Sequence, residues 1–167
     1  MRIAILQRDL VQGKLLEKII VQAGHSCVVY DDGLTLSKVL ARSTVDLLIL
    51  DWHALRLSGT DVLKAVRSVG GERMPVMFAS VDGSEESVVR AFVLGADDYA
   101  TLPVRHAEFR ERLSALLRRA YPERYGKDSF DVGPYHFDTD HRSQSLIPQG
   151  LFNIRSKFVQ NSTAGGS

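Results

Sequence analysis

Residues 47–52 read Leu47-Leu48-Ile49-Leu50-Asp51-Trp52, four apolar side chains running straight into one carboxylate. An unbroken apolar run of this length fits a strand buried on both faces, as in the middle of a parallel sheet. A carboxylate just past such a strand lies at the carboxyl edge of the sheet, where open α/β folds keep their sites. Taken alone, Asp51 would serve equally well as the start of a loop and the cap of the next helix. The flanking sequence decides between the two.

Upstream, Ile3 to Leu6 is a short apolar run followed by Gln7, Arg8 and Asp9. Val11, Leu15, Ile19 and Ala23 then recur at helical spacing as far as Gly24. Ser26 to Tyr30 reads as a second strand, Asp31-Asp32-Gly33 as a turn, and Leu36, Val39 and Leu40 as one side of a second helix. Downstream, His53 to Gly59 is a loop. Asp61 to Val69 is a third helix with Val62, Leu63, Val66 and Val69 on one side, ended by Gly70-Gly71. Pro75 to Ala79 is a fourth strand ending at Ser80. Asp82-Gly83-Ser84 opens a fourth helix whose apolar side is Val88, Val89, Phe92 and Val93, with Gly95 as its stop. Asp98 to Thr101 is a short fifth strand, and Leu102-Pro103 is a turn. Arg105 to Ala120 is a fifth helix with Phe109, Leu113, Leu116 and Leu117 inward and arginines outward. Strand and helix thus alternate five times, the signature of a parallel sheet covered by helices on both faces.

Composition limits what such a fold can do. The chain has 167 residues, room for one domain and part of a second. Hydrophobic residues make up 44% and charged residues 25%, enough for a packed core. A net charge of +1 announces no nucleic-acid surface. Cys27 is the single cysteine, which excludes an internal disulfide and a clustered-thiolate metal site. Its apolar neighbours Val28 and Val29 suggest a buried, inert thiol. Neither of the two common phosphate-binding glycine motifs is present. No apolar run approaches membrane-spanning length, and the first residues do not form a secretory signal, so a cytoplasmic location and no membrane partner are expected.

The strand ends at Arg8, Asp51, Ser80 and Leu102-Pro103 fall on one edge of one sheet. With Leu94-Gly95-Ala96-Asp97-Asp98-Tyr99 and Pro75-Val76-Met77-Phe78-Ala79-Ser80, this arrangement resembles the receiver domain of bacterial two-component response regulators, over residues 1–120. The Gly-Ala-Asp-Asp-Tyr run and the arginine-rich last helix resemble the OmpR/PhoB subfamily. The resemblance implies a flavodoxin-like (CheY-like) α/β fold with strand order 2-1-3-4-5. It also implies a phosphoacceptor position at Asp51, to which a histidine kinase would transfer a phosphoryl group, and switch positions at Ser80 and Tyr99. In the family, Mg²⁺ is held by two acidic residues after the first strand, by the acceptor, and by a backbone carbonyl that here belongs to His53. The acidic pair is replaced by Gln7 and Arg8, and the family's lysine is Leu102. Mg²⁺ prefers several hard oxygen ligands, and a guanidinium at position 8 would repel it. A regulatory, non-enzymatic domain that works without phosphorylation is therefore expected, with no cofactor; Mg²⁺ would enter only for a conventional phosphoacceptor. Arg8 is the candidate to replace metal and lysine by a bidentate salt bridge to Asp51.

The resemblance also implies a symmetric dimer face on the fourth helix, fifth strand and fifth helix, carried by Asp97, Asp98, Glu108, Arg112 and Arg119. Asp98 with Arg112 and Asp97 with Arg119 are the expected pairs across the two-fold. The basic partner of Glu108 falls at Val88, where an apolar contact takes its place. Residues 121–129 read as a linker. Residues 130–143 resemble the opening strands of the subfamily's winged-helix domain, as a pair of short strands around Gly133-Pro134. Residues 144–167 read as an unassigned or non-native tail, disordered in expectation. The remaining length is too short for a recognition helix, so DNA would be reached only through an effector domain missing from this chain. The competing readings are a conventional phosphoacceptor and a stand-alone protein-interaction domain.

Overall fold

Ile3, Ala4, Ile5 and Leu6, then Leu47 to Leu50, then Val76 to Ala79 are all buried, so these three strands have no solvent face. That pattern needs helices above and below, and the computed structural model of the chain supplies them. It describes residues 1–70, 74–125, 130–132 and 135–137. Five strands, β1 (Arg2–Leu6), β2 (Ser26–Tyr30), β3 (Leu47–Leu50), β4 (Val76–Ser80) and β5 (Asp98–Thr101), form one parallel sheet in the order β2-β1-β3-β4-β5. The register sets Leu6 beside Leu50, Leu50 beside Phe78 and Ser80 beside Thr101, which brings Gln7, Asp51, Ser80 and Leu102 to one edge.

The connecting helices are α1 (Leu10–Gln22), α2 (Gly33–Leu40), α3 (Gly59–Ser68), α4 (Glu85–Val93) and α5 (His106–Ala120). Alternate strand residues Ala4, Leu6, Leu48, Leu50, Val76, Phe78 and Tyr99 pack in one cluster with Leu36 of α2, Val62, Leu63 and Val66 of α3 and Ala91 of α4. Helices α1 and α5 pack together and bury Leu16, Ile19, Ile20, Phe109, Leu113, Leu116 and Leu117. Short polar side chains start four of the helices: Asp9, Asp32, Ser58 and Ser84 accept backbone N–H bonds in the first turns of α1 to α4.

Several expectations change. The inward residues of α1 are Gly13, Leu16, Ile19 and Ile20, while Val11 is exposed. Val69 caps α3 and faces solvent rather than closing its apolar side. In α4 the buried residue is Ala91. Val88 packs partly buried against the core, while Val89, Phe92 and Val93 are 53%, 46% and 80% exposed, so most of the side read as inward is an open apolar face. The peptide before Pro103 is cis.

The described residues after Ala120 belong to a second unit. The stretch read as a linker contains a short helix, α6 (Pro122–Tyr125), because Pro122 suits a first helical position. Strands β6 (Phe130–Val132) and β7 (Tyr135–Phe137) pair antiparallel, with Val132 opposite Tyr135. Gly133-Pro134 and the tail 144–167 lie outside the described residues.

Candidate functional site at the carboxyl edge of the sheet

Asp51 follows β3 directly, and its N–H donates to the Leu6 carbonyl at 2.9 Å. The start of α3 lies against it: a Cβ on Gly59 would sit 2.1 Å from the Asp51 carbonyl oxygen, so only glycine allows this approach. Asp51 is 8% exposed, and its Oδ1 is buried without a hydrogen-bond partner. The loop after it is held from the other side. Leu55 N–H donates to the Asp31 carbonyl, and Gly33 N–H donates to the Leu55 carbonyl. The buried Asp32 carboxylate accepts from Leu34 N–H and the Thr35 hydroxyl and pairs with Arg56. His53, in the same loop, is exposed.

Gln7 is buried and bonded at both ends of its side chain. Its Oε1 accepts from Asp9 N–H at 3.1 Å, and its Nε2 donates to the Ala79 carbonyl at 3.4 Å. The amide is therefore a strut from the end of β1 to β4. Asp9 is engaged elsewhere, its Oδ1 accepting from Val11 and Gln12 at the start of α1.

The expected salt bridge between Arg8 and Asp51 is not formed. Arg8 is exposed and joins none of the ion pairs among the described residues. The cause is alternation along the chain: Gln7 points inward at the end of β1, so its neighbour points out.

Ser80, fully buried at the end of β4, accepts at Oγ from Asp82 N–H at 3.5 Å, and its carbonyl accepts from Leu102 N–H at 2.8 Å. Leu102 is buried and places an aliphatic side chain where the resemblance implies a lysine. Tyr99 is turned inward. Its Oη accepts from Trp52 Nε1 at 2.8 Å and donates to the Asp82 carbonyl. Burial pushes the Tyr99 phenol above its ordinary value; hydrogen bonds with Trp52 and Ser80 oppose this, and the charges of Asp82 and Asp51 add to it. Sequence reasoning missed Trp52, although its place beside Asp51 was a signal.

The charged face is wired within one chain. Arg112 lies 3.2 Å from Asp98 and 2.9 Å from Glu108. Arg119 lies 3.5 Å from Asp97, which also meets Arg67 at 3.0 Å and accepts from Val76 N–H at 2.8 Å. The pairs expected across a two-fold are thus already made internally, and Glu108 finds its partner one turn along α5 rather than near Val88.

Residues 3–114 match the response regulator receiver domain. The chain belongs to this family. It is 36% identical over 119 residues to the probable transcriptional regulatory protein SilR of Salmonella typhimurium, covering 71% of this chain and 52% of that one. It is 29% identical over 140 residues to the transcriptional regulatory protein RprY of Bacteroides fragilis, covering 83% of this chain and 59% of that one. The receiver therefore spans little more than half the length of these relatives, and the regulators it resembles are of the OmpR/PhoB family. Among solved structures, the receiver domain of Francisella response regulator 1452 matches with a TM-score of 0.66 at 24% identity, covering 71% of this chain and 97% of that one, which supports the shared fold.

Receiver domains generally bind Mg²⁺ at the phosphorylation site. The residues present here do not fit that ion. Gln7 offers an amide already bonded at both ends, Arg8 is a cation, and Asp9 caps a helix. Among the described residues, no three His, Cys, Asp or Glu side chains are grouped to hold a metal. Asp51 alone does not make the oxygen-rich shell that Mg²⁺ takes.

Proposed function

We propose that this receiver sets the dimer state of a transcriptional regulator without accepting a phosphoryl group. The observation that carries the reading is the Gln7 strut, buried and bonded to Asp9 and Ala79 where the family places an acidic ligand. Phosphoryl transfer to a carboxylate requires positive charge on the phosphoryl oxygens. Leu102 supplies none, and Arg8 faces solvent. On this reading the domain is a regulatory module rather than an enzyme, it uses no cofactor, and Asp51, Ser80 and Tyr99 serve as parts of a fixed packing arrangement.

The output is a homodimer through α4, β5 and α5. The exposed Val89, Phe92 and Val93 support it, since contiguous apolar surface of this kind marks an interaction site. DNA is reached through an effector domain. The RprY similarity covers 140 residues, more than the 120 of the first unit, which supports residues after 120 as the beginning of such a domain. A cytoplasmic location suits this role, and among the described residues no helix is long and apolar enough to cross a membrane.

Sedimentation velocity on the full chain, with and without Mg²⁺ and beryllium fluoride as a phosphoryl mimic, tests the reading. The expected result is one distribution of species, unchanged by the addition. A shift from monomer to dimer on addition would show a working phosphoacceptor, served by a histidine kinase, and would overturn the proposal.

A further inference from the structure

Trp52 is the single tryptophan of the chain, and its indole meets side chains from three elements. Its Nε1 donates to Tyr99 Oη of β5 at 2.8 Å. Its ring lies 4.9 Å from that of Phe78 in β4, tilted by 36°, and Phe78 in turn stacks on Tyr99 at 6.1 Å and 7°. The guanidinium of Arg90, on α4, stands 5.8 Å over the indole. Tyr99 completes the chain by donating to the Asp82 carbonyl in the loop before α4.

Each polar atom in this assembly has a defined direction. An indole N–H can only donate, and a phenol oxygen can donate once and accept. Here the phenol does both, so its oxygen is satisfied while its ring is buried against Phe78. If the indole donor were absent, the inward phenol would lose its donor partner, whereas a phenol turned outward would be bonded by water. The bond from Trp52 therefore acts on the choice between the two orientations.

We propose that Trp52 is a positioning residue that latches Tyr99 in its buried orientation, so that the surface of α4 and β5 is fixed by the chain's own indole. The proposal rests on the phosphoryl-independent reading and adds the device that takes the phosphoryl group's place. The latch joins the residue after Asp51 to the output face directly. Arg90 holds the outer side of the indole by a cation–π contact and makes α4 part of the same unit.

The test uses the full chain with labelled tyrosine and tryptophan, followed by NMR. Trp52 gives the single indole N–H resonance, and Tyr99→Phe assigns the Tyr99 ring and removes the acceptor. Trp52→Phe keeps an aromatic ring against Phe78 and removes the donor together with part of the indole's area. In Tyr99→Phe the indole N–H is expected to exchange with solvent roughly five-fold faster or more, the factor one neutral hydrogen bond commonly contributes. In Trp52→Phe the Tyr99 ring is expected to become accessible to a soluble relaxation agent, with circular dichroism unchanged. An indole that exchanges equally fast in Tyr99→Phe, or a Tyr99 ring equally shielded in folded Trp52→Phe, overturns the latch. Should Trp52→Phe fail to fold, indole exchange in Tyr99→Phe decides alone. Adding Mg²⁺ and beryllium fluoride to the wild-type chain separates the two claims. A response there overturns the phosphoryl-independent reading, while the two variants still decide the latch.

Discussion

Asp97 reads in the sequence as a surface charge, yet it is a structural joint. Its Oδ2 accepts from Val76 N–H and from Arg67, both of which hold the entry to β4. Removing it leaves the N–H of a fully buried residue without that partner. Asp97→Ala is therefore expected to cost about 2 kcal/mol in urea unfolding, whereas Arg119→Ala, an exposed partner of the same carboxylate, stays within about 0.5 kcal/mol. Equal effects of the two would refute this assignment. A second residue-scale expectation concerns pH. Burial, with the Glu17 carboxylate second and Lys14 opposing, pushes the Cys27 thiol up to about 12 from 9.0. A pKa raised by folding gives stability that is complete below the unfolded value and is lost as pH rises through the folded one. The contribution of Cys27 to the urea midpoint should be constant up to about pH 9 and fall above it, so that the midpoint falls less steeply at high pH in Cys27→Ala; an identical slope in that variant contradicts the account. At this scale the resemblance to receiver domains marked Asp51, Ser80, Tyr99, Gln7 and Leu102, and the register brings Gln7, Asp51, Ser80 and Leu102 to one sheet edge. The sequence did not show that Gln7 takes the inward place and sends Arg8 outward, because local alternation at a strand end depends on which side chain the sheet edge accepts.

Helix α4 shows what hydrophobic spacing can and cannot convey. The period of Val88, Val89, Phe92 and Val93 marks an apolar side, but spacing does not say what covers it, and within the chain the core takes Ala91 and part of Val88 and leaves the other three exposed. Helix α1 teaches the same lesson. It carries apolar residues over much of its circumference, and the buried face is chosen by Gly13, where an added Cβ would come within 2.9 Å of the Val29 side chain. On α5, with a single apolar stripe and arginines elsewhere, the inward set Phe109, Leu113, Leu116 and Leu117 was legible in full. The open face of α4 predicts a separation of stability from assembly. Phe92→Ser, at a half-exposed position, should change unfolding free energy by no more than about 0.5 kcal/mol while weakening self-association about ten-fold or more, measured by sedimentation equilibrium. A variant that associates like the parent chain would remove α4 from the interface.

For the molecule as a whole, alternation of strands and helices pointed to a parallel sheet with few possible arrangements, and the resemblance to receiver domains supplied the strand order that the sheet adopts. The assembly is a different matter, because the same complementary charges can close within one chain or across a symmetry axis. Asp98 with Arg112 and Asp97 with Arg119 are closed internally, so a dimer that exchanged them would replace each pair by its equivalent. Little net electrostatic gain remains for association. The dimerisation constant should accordingly vary by less than about three-fold between low and moderate salt; a steep decline with salt would mean that the pairs open and re-form between subunits. The Gln7 strut carries this logic out of the molecule and into the cell. On the proposed reading, a regulator whose metal-ligand position is filled by its own amide has only its abundance left as an input. Its dimer population then follows mass action, and expression level, gene dosage and turnover become the dials that set its output.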